Sequence, residues 1–132
     1  MDRRLKVVLV DDDGGFAESL RTMVEDQPDL SVVGVASDGL EALELVEQAE
    51  PQAVLIDLHM PLLDGVSTIA RLRQDNPALC VIAMTEDDSR DLHRAVHEAG
   101  ADAVLLKTQL VLELADQIAT AQNGRAAAVS AR

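Results

Sequence analysis

The chain has 132 residues, 48% of them apolar, with 11 Lys and Arg against 24 Asp and Glu for a formal net charge of −13. That length allows one domain with one core, and the apolar fraction excludes a disordered segment. The charge argues against direct contact with a phosphate backbone, one Phe and no Trp or Tyr remove the stacking surfaces of single-strand binders, and no apolar run approaches the roughly 20 residues that span a bilayer.

The chain begins MDRRLKVVLV, basic and then apolar. The run is too short for a secretory signal, and it leads into acids instead of a small-residue cleavage site. A single cysteine, Cys80, has no partner for an intramolecular disulfide, so the chain reads as cytoplasmic. Cys80 lies in an apolar stretch and is expected to be a buried small hydrophobe.

Five short, near-continuously apolar runs follow one another: LKVVLV (5–10), LSVVGVA (30–36), AVLID (53–57), LCVIAMT (79–85) and AVLL (103–106). Strands covered on both faces read this way. Between them lie helical stripes: Phe16, Leu20, Met23 and Val24; the weaker sets Leu40, Leu43, Val46 and Val66, Ile69, Ala70; then Leu92, Ala95, Val96, Ala99 and Val111, Leu114, Ala115, Ile118. Asp38 with Glu41 fits a capping box, Asp64 can cap a helix starting near Gly65, and Gly100 sits where a helix terminates. The pattern is strand then helix, five times. It predicts a doubly wound α/β fold with a parallel sheet, right-handed crossovers and helices on both faces. In such sheets the ligand crevice lies beyond the C-terminal strand ends.

The residues at those ends are therefore the candidates. The first strand ends in Asp11 and Asp12, the third in Asp57, the fourth in Thr85, and the fifth near Lys107. Three carboxylates, a hydroxyl and an ammonium on one rim suit Mg²⁺ or Mn²⁺, hard cations that take carboxylate oxygens. A carboxylate can also be a nucleophile and become an aspartyl phosphate, with metal and Lys neutralising the developing charge. Metal and Lys107 would then be the positive charge that the acids Asp11, Asp12 and Asp13 otherwise lack.

The motifs VVLVDDD (7–13), VLIDLHMPLLDG (54–65), VIAMT (81–85) and AGADAVLLKT (99–108), in this order and spacing, resemble those of the receiver domains of two-component response regulators. The resemblance covers about residues 5–123, so 1–123 is taken as the receiver domain and 124–132 as a tail or the start of a linker. VVGVASDGLEALELV is similar to the subfamily whose members often carry a C-terminal helix-turn-helix output domain. The resemblance implies a flavodoxin-like (βα)5 sandwich with strand order 2-1-3-4-5. It also implies a phosphoacceptor at Asp57, fed by a histidine kinase. Asp12 would bind Mg²⁺ directly, Asp11 mainly through water, and the backbone carbonyl of His59 would be a further ligand. Thr85 would hydrogen-bond the phosphoryl group and Lys107 would pair with Asp57 or its phosphoryl, while Asp13 would lie outside the metal's ligands. The implied partners are the kinase and an effector domain or downstream protein. A homodimer through the last helices is also in the family's repertoire, and the only chemistry implied is self-phosphorylation and self-dephosphorylation.

Three positions depart from the family pattern. Val104 replaces the usual aromatic or His that swings inward on activation. Thr108 follows Lys107 where many members have a cis proline, so a trans bond is expected. Glu86 follows Thr85 where a small residue is usual, and is expected to repel anionic donors. His59 and Asp87 occupy the two positions that tune acyl-phosphate lifetime in the family. Val104 and Glu86 motivate a rival reading, a degenerate receiver acting as a phosphorylation-independent scaffold. A phosphohydrolase using Asp11 and Asp13 as a D-x-D pair is disfavoured by the lack of later motifs of that class. A flavin carrier is disfavoured by the lack of Trp and Tyr. His93 and His97 are spaced as zinc ligands on one helix, but without an HExxH or Cys pattern they read as a solvated face.

Overall fold

The computed structural model describes residues 4–59 and 64–108, together with 110, 120, 123 and 124. The expected fifth helix, residues 60–63 of the second motif and most of the 124–132 tail lie outside the described residues.

The described elements alternate without exception: β1 (Leu5–Val10), α1 (Gly14–Glu25), β2 (Leu30–Ala36), α2 (Gly39–Ala49), β3 (Ala53–Asp57), α3 (Gly65–Asp75), β4 (Cys80–Thr85), α4 (Arg90–Ala99) and β5 (Ala103–Leu106). The strands form one parallel sheet in the order β2-β1-β3-β4-β5. The chain winds outward from β1 in both directions, so the order reverses between β1 and β3, and this opens a crevice at their C-terminal ends.

The two faces of the sheet bury separate cores. Val8, Val10, Val54, Ile56, Val81 and Ala83 pack under α2, α3 and α4. Their neighbours Val7, Leu9, Leu55, Cys80, Ile82 and Met84 join Leu20 and Val24 of α1, with Leu110, on the other face. Period-two alternation with both sets apolar explains why the strand sequences are near-continuously apolar, with polar residues confined to strand ends: Lys6 and Ser31 near the starts of β1 and β2, Asp57 and Thr85 at the ends of β3 and β4. Cys80 is fully buried, as expected.

Local signals worked unevenly. Asp38 caps α2 by accepting from the Glu41 amide at 2.8 Å, but the reciprocal half of the capping box is missing, because the Glu41 carboxylate accepts instead from the Ser37 hydroxyl at 3.2 Å. Asp64 caps α3 through the Ser67 amide. Leu79 falls outside β4, with its amide bonded to the Asn76 carbonyl and its own carbonyl accepting from Arg73. Leu40 of the weak second stripe points to solvent, 59% exposed. No described peptide bond is cis, including Lys107–Thr108.

Candidate functional site

The acidic triplet that ends β1 splits into three different environments. Asp11 is 2% exposed. One of its carboxylate oxygens accepts from the Asp13 amide at 2.9 Å and the other is 3.1 Å from the Lys107 ammonium. Asp12 is exposed on the rim. Asp13 is the N-cap of α1, with Oδ1 accepting from the Gly15 and Phe16 amides at 3.0 and 3.2 Å. Its charge lies against the positive end of the helix, where a carboxylate is stabilised. One third of the negative run is thus structural, and no metal is needed to explain it.

Asp57 is the last residue of β3 and is 3% exposed. Its Oδ1 accepts from the His59 amide at 3.2 Å, and its Oδ2 is 3.7 Å from the Lys107 ammonium. The expected Lys107–Asp57 pair is therefore the longer of two, with Asp11 the hydrogen-bonded partner. Lys107 reaches the rim because its amide is tied to the Thr85 carbonyl at 2.8 Å, which holds the end of β5 against the end of β4. Its ammonium also lies 4.3 Å from the centre of the Phe16 ring. Sequence spacing places Phe16 in a core stripe and misses this contact. An ammonium over an aromatic face is worth roughly 0.5–1 kcal/mol at a partly exposed site.

Carboxylate oxygens of Asp11, Asp12 and Asp57 lie within 4.8 Å of one another. Two of the three are buried, and Lys107 is the ammonium among them. A set of hard oxygen donors held this close, with one compensating cation, fits a divalent cation such as Mg²⁺. Burial pushes the Asp57 carboxyl above the ordinary carboxylate value, and the charges of Asp11 and Asp12 push the same way, while the His59 amide and Lys107 pull it back. Burial alone would pull the Lys107 ammonium down, but the hydrogen bond with Asp11 and the charges of Asp57, Asp11 and Glu86 outweigh it, leaving it raised.

The Asp57 shift has a stability consequence with a definite sign. An acid whose native value is raised binds its proton more tightly folded than unfolded, so its contribution to stability falls as pH rises from the unfolded value near 3.8 through the native one. Asp57→Asn is therefore expected to stabilise the metal-free protein at pH 7 by on the order of 1 kcal/mol. That gain should shrink toward pH 4, as the Asp57 carboxyl regains its proton in the folded chain and begins to do so in the unfolded one. Urea unfolding of both proteins at the two pH values checks this, and a gain that is equal at both would contradict the electrostatic cause.

Thr85, fully buried, ends β4. Its hydroxyl oxygen accepts from the Asp87 amide at 3.0 Å. Asp87 Oδ1 accepts from the Ser89 amide at 2.8 Å, and Ser89 caps α4. Glu86 is exposed beside Lys107, and the two line a pocket with Phe16, Leu106 and Thr108. Val104 lies on the α4 side of the sheet, packed with Leu92 and Ala99 against the core. His93 and His97 do not share a ligand. The His93 ring contacts the Asp87 carbonyl at 3.1 Å and the His97 ring the Ala101 carbonyl at 3.2 Å, at opposite ends of α4.

Comparison with known proteins agrees with this geometry. The model for the response regulator receiver domain matches residues 7–127. The transcriptional regulatory protein LiaR of Bacillus subtilis is 36% identical over 122 residues, covering 91% of this chain and 57% of the relative. A protein-glutamate methylesterase/protein-glutamine glutaminase of Methanospirillum hungatei is 32% identical over 105 residues, covering 78% of this chain and 31% of the relative. The chain thus spans about a third to just over half the length of these curated relatives. Among solved structures, a LuxR-family two-component response regulator from an Aurantimonas species superposes with a TM-score of 0.87 at 29% identity, covering 92% of this chain and 87% of that one.

Proposed function

The chain belongs to the response regulator receiver domain family, and from that premise we propose that Asp57 accepts a phosphoryl group from a histidine kinase and thereby switches a protein-interaction surface. What carries the reading is the convergence of three carboxylates on one ammonium at the C-terminal strand ends. Mg²⁺, or Mn²⁺ in its place, would be held by Asp11, Asp12 and Asp57 with the His59 backbone carbonyl; bound there, it neutralises charge on the entering phosphoryl oxygens.

The transfer breaks the N–P bond of phosphohistidine and forms an O–P bond to Asp57, with the electron pair leaving on the imidazole nitrogen. The His59 amide already donates to Asp57 Oδ1, which orients the carboxylate. Lys107 supplies fixed positive charge at 3.7 Å from Oδ2. The Thr85 hydroxyl spends a lone pair on the Asp87 amide and so keeps its own proton for a phosphoryl oxygen. Phosphorylation adds about −1.5 to −2 charges, which biases a two-state surface read by an effector domain or a separate protein. Transcription is the output consistent with LiaR, and the chemistry of this reading is self-phosphorylation and self-dephosphorylation of Asp57. In this reading residues 1–123 form the receiver and 124–132 lead out of it.

Intact mass after incubation with acetyl phosphate and Mg²⁺ tests the assignment. The native protein is expected to gain one phosphoryl group and Asp57→Asn none. A gain in Asp57→Asn would refute Asp57 as acceptor, and no gain in the native protein with either acetyl phosphate or a phosphorylated kinase would favour the scaffold reading motivated by Val104 and Glu86. Glu86→Ala should take phosphoryl from acetyl phosphate roughly 2–5 times faster, the effect of removing one exposed charge from the path of an anion. Equal rates would show that Glu86 does not face the donor.

A further inference from the structure

One side chain outside the acidic rim is wired to it. The loop between β4 and α4 is stitched by successive contacts: the Asp87 amide donates to Thr85 Oγ1 at 3.0 Å, the Ser89 amide donates to Asp87 Oδ1 at 2.8 Å, and the His93 ring meets the Asp87 carbonyl at 3.1 Å. A carbonyl oxygen only accepts, so His93 Nε2 carries the proton and donates. Asp87 is thereby held at its amide, its side chain and its carbonyl. The first hold lies on the buried Thr85 hydroxyl, and the last comes from α4, on a half-buried ring.

We propose that His93 is a positioning residue for Thr85: by holding the Asp87–Asp88 peptide at its carbonyl it restrains the backbone of Asp87, whose own amide, in the preceding peptide, orients the Thr85 hydroxyl toward the phosphoryl group. The proposal rests on the phosphoacceptor reading above and deepens it. Asp87 shows why the position matters. Its side chain is exposed and faces the loop, where Ser89 occupies Oδ1. Its backbone, not its carboxylate, is what reaches the buried hydroxyl. If the Asp87 backbone is free to rotate about its Cα, the amide leaves Thr85 Oγ1, and the hydroxyl can then point its proton elsewhere. Val104 is too small and too stiff to couple this strand end to the surface by a rotamer swing. The hydrogen-bonded route through Asp87 and His93 runs from Thr85 directly into the first turn of α4 and needs no aromatic at position 104. It makes α4 the element that senses the state of Thr85.

The test compares native protein, His93→Leu, which has no donor, and His93→Gln, whose amide can donate to the same carbonyl. Two quantities are read: the rate of phosphoryl uptake from acetyl phosphate with Mg²⁺ by intact mass, and hydrogen exchange of the Asp87 amide by NMR in the unphosphorylated protein. His93→Leu should slow uptake about 3- to 10-fold, the scale of one lost hydrogen bond, with Mg²⁺ affinity unchanged and Asp87 exchange accelerated. His93→Gln should restore both. Uptake and exchange in His93→Leu equal to native would overturn the proposal, as would a loss in His93→Leu that Gln does not recover. If native protein takes up no phosphoryl at all, the phosphoacceptor reading fails separately. Asp87 exchange then decides whether His93 holds the loop, and unchanged protection in His93→Leu overturns that too.

Discussion

Replacing Arg73 by alanine is expected to lower the stability of the fold by about 3–5 kcal/mol and its melting temperature by roughly ten degrees or more. Arg73 is a polar residue on α3 whose side chain is only 15% exposed. Its Nε donates to the Gly100 carbonyl at 2.9 Å. Nη1 donates to the carbonyls of Asn76, Pro77 and Leu79 at 3.1, 3.0 and 2.7 Å. Nη2 pairs with Asp102 at 2.8 Å, and the same Asp102 oxygen accepts from the Val81 amide at 2.9 Å. One guanidinium thus satisfies the frayed end of α3, the end of α4 and the start of β4. Gly100 completes the fit: at φ 120° and with Arg73 Cγ 2.6 Å from where a Cβ would stand, no larger residue fits there. Lysine offers three donors from one point in place of a planar fork, so Arg73→Lys should recover only part of the loss. Alanine also leaves Asp102, with an 8% exposed side chain, as a buried charge without its guanidinium. Asp102→Asn in the Arg73→Ala background should therefore cost less than it does alone. Urea unfolding measures the native protein and all four variants. A loss below about 1 kcal/mol for Arg73→Ala would mean the cluster is no stronger than a surface pair.

Gly65→Ala is expected to destabilise the protein by about 1–3 kcal/mol or more and to weaken Mg²⁺ binding at the same time. A Cβ at Gly65 would lie 2.5 Å from the Leu58 Cα and 2.8 Å from the Asp57 carbonyl oxygen. Both are backbone atoms, so no side-chain rotation relieves the contact. The first turn of α3 must retreat, or residues 57 and 58 must move, and the Asp57 carboxylate moves with them. Helix propensity works in the opposite direction, since alanine exceeds glycine by about 1 kcal/mol inside a helix. A net loss would therefore show that the close approach dominates. Gly14→Ala is the control, for at that position a Cβ meets nothing within 4 Å. A Gly65→Ala protein as stable as native, with unchanged Mg²⁺ affinity by titration, would mean that the two segments separate without cost.

Much of this was legible in the sequence because burial on both faces leaves a plain mark. The runs at 5–10, 30–36, 53–57 and 103–106 match β1, β2, β3 and β5 residue for residue, since strands of a parallel sheet covered on both faces read as near-continuous apolar runs. The acids at the strand ends could be picked out because hydrophobic runs rarely terminate in buried carboxylates without a partner. What the sequence did not reveal depends on long-range geometry or on backbone partners. The preference of Lys107 for Asp11 over Asp57 turns on a difference between 3.1 and 3.7 Å. The role of Asp13 rests on the amides of Gly15 and Phe16, which the start of α1 presents to its carboxylate. Phe16, the one aromatic, and His93 each read as ordinary helix-face residues, because their partners are contributed by a distant strand end or by a carbonyl that spacing does not display. Arg73 gave no signal at all, since a charged residue on a helix is normally solvated, and its acceptors are mostly main-chain oxygens.

The Arg73 cluster also decides how the α4 side of the molecule can yield. It fastens the Gly100 end of that helix to α3 and β4, while hydrogen bonds join the opposite end to the acidic rim through the Asp87 loop. A body anchored at one end and pushed at the other turns like a door on its hinge. A ten-residue helix is about 15 Å long, so a displacement of about 1 Å at the Ser89 end corresponds to a tilt of only about 4° around Gly100. The farther end barely travels. Signals leaving this site would be graded along α4, largest at its first turn and fading toward its last, and a partner that reads them best would grip the helix near Arg90.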